Sequence, residues 1–357
     1  MNKTLIMALA STSLALVGCQ GGAGSSSSES SLPDSSPDAT GSSSENKGEI
    51  DTSEVTLITP TGIPTLAFYD LGAEDNRWFS TSSPSDFIPA AFSSGQYDFI
   101  VFDGINGLTN VTNNKRDYAL ARWISGGTYY LVSTKYDSPE DLGIDKTIDS
   151  FVQNGVANQA LMNLAEDHWG IEGLSESGLI KYESGVLTVV QNLISNPEAY
   201  DFYLVAQPAL TNAKAQLSAK GIELNIIYNL QDEWKEAHGE DSTIPAAGLF
   251  VNKTAYGENK DVMDAFIAET EERMANAVEN PELAVEALTA YEALDPNSDS
   301  DCSARFGFTP ALVSALQKDG ANQFNIQSEY ADPMEVANAF QHIVGGPEYP
   351  ESSFLSR

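Results

Sequence analysis

The sequence has few of the side chains that ligate metals or bind nucleic acid. It holds two cysteines and three histidines in 357 residues, and 18 Lys and Arg against 51 Asp and Glu, for a formal net charge of −33. Nucleic-acid recognition relies on clustered Lys and Arg, and polybasic attachment to anionic lipid does so too. Two cysteines cannot form a zinc cluster or a disulfide framework. We therefore expect no nucleic-acid partner, no metal and no cofactor.

The chain nevertheless has enough apolar side chains to build a core. The hydrophobic fraction is 41%, and it includes 15 Phe, 14 Tyr and 4 Trp. A chain with this composition folds, since it can bury enough apolar surface to offset the loss of conformational entropy. Its length favours about two domains.

The first residues have the pattern of an export signal followed by a tether. Lys3 precedes an apolar stretch over 5–17, which is shorter than the roughly 20 residues of a membrane span. The end of this stretch, Leu-Val-Gly-Cys19, resembles the bacterial lipobox, in which the cysteine is acylated after cleavage. The alternative is an ordinary signal peptide with an incidental cysteine. We predict a lipoprotein signal peptide over 1–18, lipidation at Cys19 and a flexible Ser/Gly-rich acidic tether over 19–51.

The body of the chain alternates between strand and helix patterns. Expected strands are 54–59, 99–102, 118–123, 128–133, 147–152, 180–183, 200–205 and 247–251, and expected helices are 65–71, 85–92, 158–169, 185–194 and 261–280. Such alternation is typical of α/β folds with mostly parallel sheets. The pattern predicts two blocks, the second inserted in the first, with lobe 1 over 52–128 and 246–357 and lobe 2 over 129–245.

Four short segments lie where an expected strand ends and a helix begins. In an open α/β sheet, ligands bind at this edge, where helix N-termini present free backbone N–H groups. Each segment taken alone also fits an ordinary turn, but two come from each block, as a cleft between lobes requires. The predicted ligand-binding residues are Thr61, Gly62, Phe102, Asp103, Gly104, Asn106, Gln153, Asn154, Gly155 and Gln207.

These segments carry a resemblance to a known family. The strand followed by Pro-Thr-Gly-Ile-Pro-Thr-Leu-Ala over 60–67 resembles the first loop and helix of periplasmic-binding-protein type II receptors, and Ser-Gly-Gln-Tyr-Asp-Phe-Ile-Val over 94–101 resembles their G-x-x-D and strand pattern. The most similar group is the nitrate/sulfonate/taurine and thiamine-pyrimidine branch of ABC-transporter substrate-binding proteins. Gln207 departs from this group, many members of which have a Glu-Pro pair there. The resemblance covers most of residues 54–350.

The resemblance implies an α/β fold of two lobes with a ligand cleft between them. It also implies a monomeric, lipid-anchored, non-enzymatic receptor outside the cytoplasmic membrane, which delivers a small solute to an ABC permease and its ATPase. None of the four segments contains Lys or Arg, so a neutral, cationic or heterocyclic solute is favoured over an oxyanion. Phe102, Trp78 or Trp123 could stack on a ring, although aromatic side chains more often pack in cores.

Other functions remain open at this point. His168, His238 and His342 are far apart in sequence, and no HExxH, GxSxG, Walker A or GxGxxG motif is present. An enzyme on the same fold, like the pyrimidine-synthesising protein that resembles this branch, is one alternative, and a membrane-tethered sensor or co-receptor is another. We expect Cys302 to be a packed, inert thiol. Residues 295–301 resemble a calcium loop but lack its glycine and terminal glutamate.

Overall fold

The computed structural model describes residues 50–71, 78–294, 306–307, 309–318 and 332–356. The predicted signal peptide, Cys19, all but the last two residues of the tether, the 295–301 loop and Cys302 lie outside these residues. Within them, no helix combines the length and apolar composition needed to cross a membrane. The described residues belong to one compact unit.

Two five-stranded sheets organise the fold. The first sheet has the order β2-β1-β3-β10-β4 and the second has the order β7-β6-β8-β5-β9. The strands are β1 Leu57–Pro60, β2 Trp78–Thr81, β3 Phe99–Asp103, β4 Tyr118–Trp123, β5 Tyr129–Ser133, β6 Ile148–Phe151, β7 Ile180–Glu183, β8 Phe202–Ala206, β9 Asn225–Asn229 and β10 Ala247–Asn252. Strand predictions are therefore confirmed for eight strands, whereas β2 and β9 were not predicted.

Both sheets are built by the same rule. Strands β1, β2 and β3 are parallel, and β10 runs antiparallel to both β3 and β4. Likewise β6, β7 and β8 are parallel, and β5 runs antiparallel to both β8 and β9. In each sheet the antiparallel strand is the one that the chain enters after crossing from the other sheet. The predicted lobe boundaries agree with this membership of strands but stay a prediction.

Helices cover the sheets and follow most strands. They are α1 Pro84–Ser94, α2 Gly104–Asn114, α3 Val156–Asn163, α4 Val186–Ser195, α5 Ala209–Ala219, α6 Leu230–His238, α7 Lys253–Glu258, α8 Lys260–Glu279, α9 Glu282–Leu294, α10 Pro310–Lys318 and α11 Pro333–Ile343. The segment predicted as a helix over 65–71 is a 3-10 helix over Ile63–Phe68. The helix predicted over 158–169 is α3 continued by a π-helical turn over Leu164–His168.

Three apolar clusters hold these layers together. One contains side chains of both sheets, among them Phe102, Trp123, Tyr129 and Phe202. A second packs the opposite face of the first sheet against α8, where Phe99 and Phe266 stack with ring centroids 4.7 Å apart. The third packs α4 and α5 on the second sheet. Strands β3 and β8 are buried along almost their whole length, which explains why their sequences are nearly unbroken apolar runs.

The chain crosses between the sheets through two segments, 124–128 and 239–246. They lie side by side, with an antiparallel bridge between Gly126 and Pro245. The Ala246 N–H donates to the Ser125 carbonyl at 2.9 Å. We call these paired segments the crossover ribbon. A Cβ atom on Gly127 would lie 2.8 Å from Ile244, so glycine lets the two segments approach closely.

Candidate functional site

A cavity lies between the two sheets at the carboxyl ends of their parallel strands. Its volume is about 150 Å³. Residues at or just after the ends of β1, β2, β3 and β4, with Ala246 and Ala247 at the start of β10, line one side. Residues at or just after the ends of β6, β7 and β8, with Tyr129 at the start of β5, line the other. The lining residues are Pro60, Thr61, Gly62, Ile63, Pro64, Ser82, Pro84, Phe102, Asp103, Ser125, Thr128, Tyr129, Phe151, Val152, Gly185, Val186, Leu187, Ala206, Gln207, Pro208, Ala209, Ala246, Ala247 and Gly307.

The lining is mainly apolar. Phe102, Tyr129 and Phe151 contribute aromatic rings, and among the described lining residues Asp103 is the only ionisable side chain apart from Tyr129. Burial, helped by the nearby charge of Asp103, raises the pKa of the Tyr129 hydroxyl, so this group is neutral. A solute in this cavity would contact ring faces, methyl groups and a few hydroxyl and amide groups.

Asp103 ends β3 and caps the helix that follows. Its Oδ1 accepts the backbone N–H of Asn106 at 2.9 Å, which satisfies an otherwise unpaired donor of the first turn of α2. Its Oδ2 accepts the backbone N–H of Val156, the first residue of α3, at 3.0 Å. Burial raises the pKa of the Asp103 carboxyl to about 6, although these two N–H donors and the Ile105 N–H oppose the rise. One carboxylate thus accepts hydrogen bonds from two helices, α2 and α3, which follow strands of different sheets.

Backbone close to Gly62 forms part of the cavity wall. Gly62 has φ 109°, a conformation that favours glycine, and its N–H donates to the Phe306 carbonyl at 2.7 Å. Across the cavity, a Cβ atom added to Gly62 would lie 4.0 Å from the Pro208 ring. A Cβ atom added to Gly185 would lie 3.3 Å from the Ser82 carbonyl oxygen. The two walls are therefore in near contact at these points.

Five of the ten predicted ligand-binding residues line the cavity. They are Thr61, Gly62, Phe102, Asp103 and Gln207. The side-chain oxygen of Gln207 accepts the backbone N–H and the hydroxyl of Thr211 at 3.2 and 2.9 Å, so it caps α5. That these residues bind a ligand stays a prediction.

The other five predicted residues lie outside the lining. Gly104 packs its backbone against the Trp123 ring, and Asn106 supplies the N–H that Asp103 accepts. Gln153 and Asn154 line a separate polar groove beside α3, while the Gly155 N–H closes a turn onto the Val152 carbonyl at 2.8 Å. The sequence places all five at strand ends, but only the assembled walls show which residues face inward.

The two tryptophans considered for stacking are core residues. Trp78 packs on Phe306 with centroids 4.9 Å apart. Trp123 is buried, and its indole N–H donates to the Pro333 carbonyl at 3.1 Å. Of the three aromatic candidates, only Phe102 lines the cavity.

Sequence reasoning missed several lining residues. Tyr129 and Phe151 belong to predicted strands and read as ordinary core positions, and Gly185–Leu187 reads as a plain helix start. Ser125 and Thr128 lie in the crossover ribbon. The position of Gly185 between a strand and an apolar helix was the one available signal, since it repeats the arrangement of the four chosen segments.

One group of potential metal ligands lies away from the cavity. His168, Glu233 and Glu236 offer ligand atoms within 4.8 Å of one another. The Glu233 carboxylate also accepts the Trp169 indole N–H at 3.0 Å. Although far apart in sequence, His168 and His238 lie near each other here, because α6 packs beside the π-helical turn. None of these residues lines the cavity.

Comparison of the structure with solved proteins identifies the fold. The ligand-binding component of an ABC-type import system from Staphylococcus aureus, solved with zinc bound, has a TM-score of 0.60 at 11% identity over 85% of this chain and 96% of that chain. The periplasmic aliphatic sulphonate binding protein of Escherichia coli has a TM-score of 0.54 at 10% identity over 82% and 91%. An ABC transporter protein from Parabacteroides distasonis has a TM-score of 0.53 at 14% identity over 85% and 99%.

The chain has the periplasmic-binding-protein fold. The predicted α/β architecture and the resemblance to ABC-transporter solute-binding proteins are therefore confirmed at the level of fold. No protein-family model matches the chain, and no curated protein matches it in sequence.

Proposed function

We propose that this protein is an extracytoplasmic solute-binding protein that captures a small molecule for an ABC permease and its ATPase. The observation that carries this proposal is the cavity, which receives lining residues from both sheets at the carboxyl ends of their strands. Such an edge is where open α/β sheets bind ligands. The overall likeness to solute-binding components of ABC import systems supports the same role.

The lining favours a small, largely uncharged solute with a ring. A cavity of about 150 Å³ is large enough for a single aromatic ring, as shown by engineered cavities of about that size that hold benzene. The rings of Phe102 and Phe151 can pack on such a solute. The described residues that line the cavity include no Lys, Arg or His, and an ionised Asp103 would repel an anion. A sulfonate is therefore disfavoured, although three of the similar structures are sulfonate-binding proteins.

The N-terminal pattern supports anchoring on the outer face of the membrane. Cleavage before Cys19 and diacylation would give stable attachment, which one acyl chain would not. A tether over 19–51 would have a coil dimension of roughly 30 Å, so the folded body could reach a membrane partner without lying on lipid. In this arrangement the protein hands its solute to a permease.

The experiment that tests the function is native mass spectrometry of the purified full chain, followed by identification of any small molecule lost on denaturation. We expect one bound molecule per chain, of a neutral or weakly basic heterocyclic class. The variant Phe151→Ala should lose it, because a ring that lines the cavity is removed. Phe79→Ala is the matched control, since Phe79 is also a strand phenylalanine but is 48% exposed and does not line the cavity.

A panel of candidate solutes completes the test. Calorimetric titration of the apo chain with pyrimidines and alkanesulfonates should give binding for the first class and none for the second. Retention of the co-purified molecule by Phe151→Ala, or binding of alkanesulfonates only, would contradict the proposed site or its selectivity. Absence of binding to every solute, with a normal melting curve, would favour the sensor alternative.

A further inference from the structure

Asp103 connects the helices that follow the two sheets. It ends β3 in the first sheet and caps α2 through the Asn106 N–H at 2.9 Å. Its second oxygen accepts the N–H of Val156 at 3.0 Å, at the start of α3, which follows β6 of the second sheet. The contact joins residues 53 positions apart in sequence, across the boundary between the sheets.

Few ionisable groups face this carboxylate. Tyr129 of β5 and Tyr349 of the C-terminal segment are near enough for the charge of Asp103 to affect their pKa values. The helices α2 and α3 carry no Asp, Glu, Lys, Arg or His, and neither does β10. Trp123 of β4 packs against the adjacent Gly104. No cation therefore offsets a negative charge on Asp103 within the described surroundings.

Burial and hydrogen bonding act on this group in opposite directions. Removal from water disfavours the ionised carboxylate, whereas the Asn106, Val156 and Ile105 N–H groups favour it. Burial is the larger effect, because the pKa rises from 3.8 to about 6. Opening of the cleft would return the carboxylate to water, which lowers its pKa, and remove the Val156 donor, which raises it. Because burial is the larger effect, the net change is a fall of the pKa towards the ordinary value.

We propose that closure of the cleft takes up a proton at Asp103, so that the two lobes close more firmly in acid than at neutral pH. This inference rests on the proposed function, because it assumes the opening and closing of a solute-binding cleft. Asp103 acts in it as a positioning residue, since it sets the relation of α2 to α3. The acid form keeps a carbonyl oxygen that accepts an N–H and removes the uncompensated charge.

The sign and size of the effect follow from proton linkage. A group that binds a proton more tightly in the closed form stabilises that form as pH falls through the higher pKa. With values near 4 in the open form and about 6 in the closed form, the closure constant rises by about tenfold between about pH 7.5 and pH 5.

The Val156 amide reports directly on this process. In ¹⁵N-valine-labelled full chain, its resonance should titrate with a midpoint near 6, since its acceptor is Asp103. The variant Val156→Ile assigns the resonance. Hydrogen exchange of the same amide, normalised to the intrinsic rate at each pH, should give a protection factor about tenfold higher at about pH 5 than at pH 7.5.

Two variants and one control make the test decisive. Asp103→Asn and Asp103→Ser should both abolish the titration and the pH dependence of protection, and serine keeps an N-cap for α2 if asparagine impairs folding. Asp201→Asn is the control, because Asp201 also accepts a backbone N–H, from Thr147 at 2.9 Å. This bond joins the segments before β6 and β8, which belong to the same sheet, so it does not cross between the sheets. This variant should leave the Val156 titration unchanged.

A Val156 amide that does not move between pH 7.5 and 5, or that moves equally in the Asp103 variants, would overturn the inference. If Asp103 only capped α2, the Val156 amide would be insensitive to it. These measurements need no solute, so their failure leaves the proposed function standing. Conversely, a titrating amide in a chain that binds no solute would refute the proposed function alone.

Discussion

Replacing Gly104 by alanine tests whether this glycine serves packing, as the structure indicates, or a ligand, as the sequence pattern predicts. A Cβ atom there would lie 1.9 Å from Cζ3 and 2.4 Å from Cη2 of Trp123. Trp123 is 1% exposed and its indole N–H bonds the Pro333 carbonyl, so the ring cannot move aside freely. Overpacking costs about 1–3 kcal/mol and a lost hydrogen bond about 1 kcal/mol. We expect Gly104→Ala to lower the free energy of unfolding by about 3 kcal/mol, or the melting temperature by roughly 6 °C.

The assay is urea unfolding followed by tryptophan fluorescence, together with a thermal melt. Gly257→Ala is the matched control, because Gly257 is also helical but no atom lies within 4 Å of its would-be Cβ. This control should be neutral or stabilised by up to about 1 kcal/mol. The double variant Gly104→Ala/Trp123→Phe should be less destabilised than the sum of its single variants, because the smaller ring leaves room. A Gly104→Ala chain as stable as the wild type, but with weaker solute binding, would refute the packing argument.

Three further predictions concern the anchor, the pH dependence of stability and a helix cap. Cys19→Ala should move the protein from the membrane fraction to the soluble fraction, and its retention in the membrane would contradict the lipobox interpretation. Burial opposes ionisation of Asp201, but its bonds from Thr147 and Lys135 outweigh that and lower its pKa, so Asp201→Asn should destabilise the protein at neutral pH in urea unfolding, and the difference should diminish as pH falls below about 4. Asp332 caps α11 by accepting the Met334 N–H at 2.8 Å, so Asp332→Ala should cost about 1 kcal/mol and Asp332→Asn only a few tenths; equal losses would argue against the cap.

The alternation of strands and helices could be predicted because it depends on local pattern. Strand β4 and strand β7 have the predicted bounds of 118–123 and 180–183, since each is a run flanked by turn residues or a glycine. Strand β2 was missed because Trp-Phe-Ser-Thr is short and half polar, and its place depends on pairing with β1. Strand β9, at the edge of the second sheet, also has a mixed pattern of burial.

The site was predictable only where the chain itself marks it. Asp103 ends one strand and Thr61 follows another, and both precede helical turns, so topology alone brings them to the ligand edge. Gly104 and Gly155 occupy similar positions, but Trp123 and Val152 pack against them. Whether a residue at a strand end faces the cavity or the core depends on side chains from distant elements. No local sequence pattern distinguishes these two cases.

The crossover ribbon would limit how the two lobes of the proposed solute-binding cleft can move. Two antiparallel segments joined at Gly126 and Pro245, with Ala246 bonded to Ser125, resist being sheared along their length or twisted against each other. Bending across the ribbon leaves those bonds intact. In the proposed solute-binding cleft, the lobes would therefore move mainly by rotation about a single axis. Each closure would then return Val156 to the same place opposite Asp103.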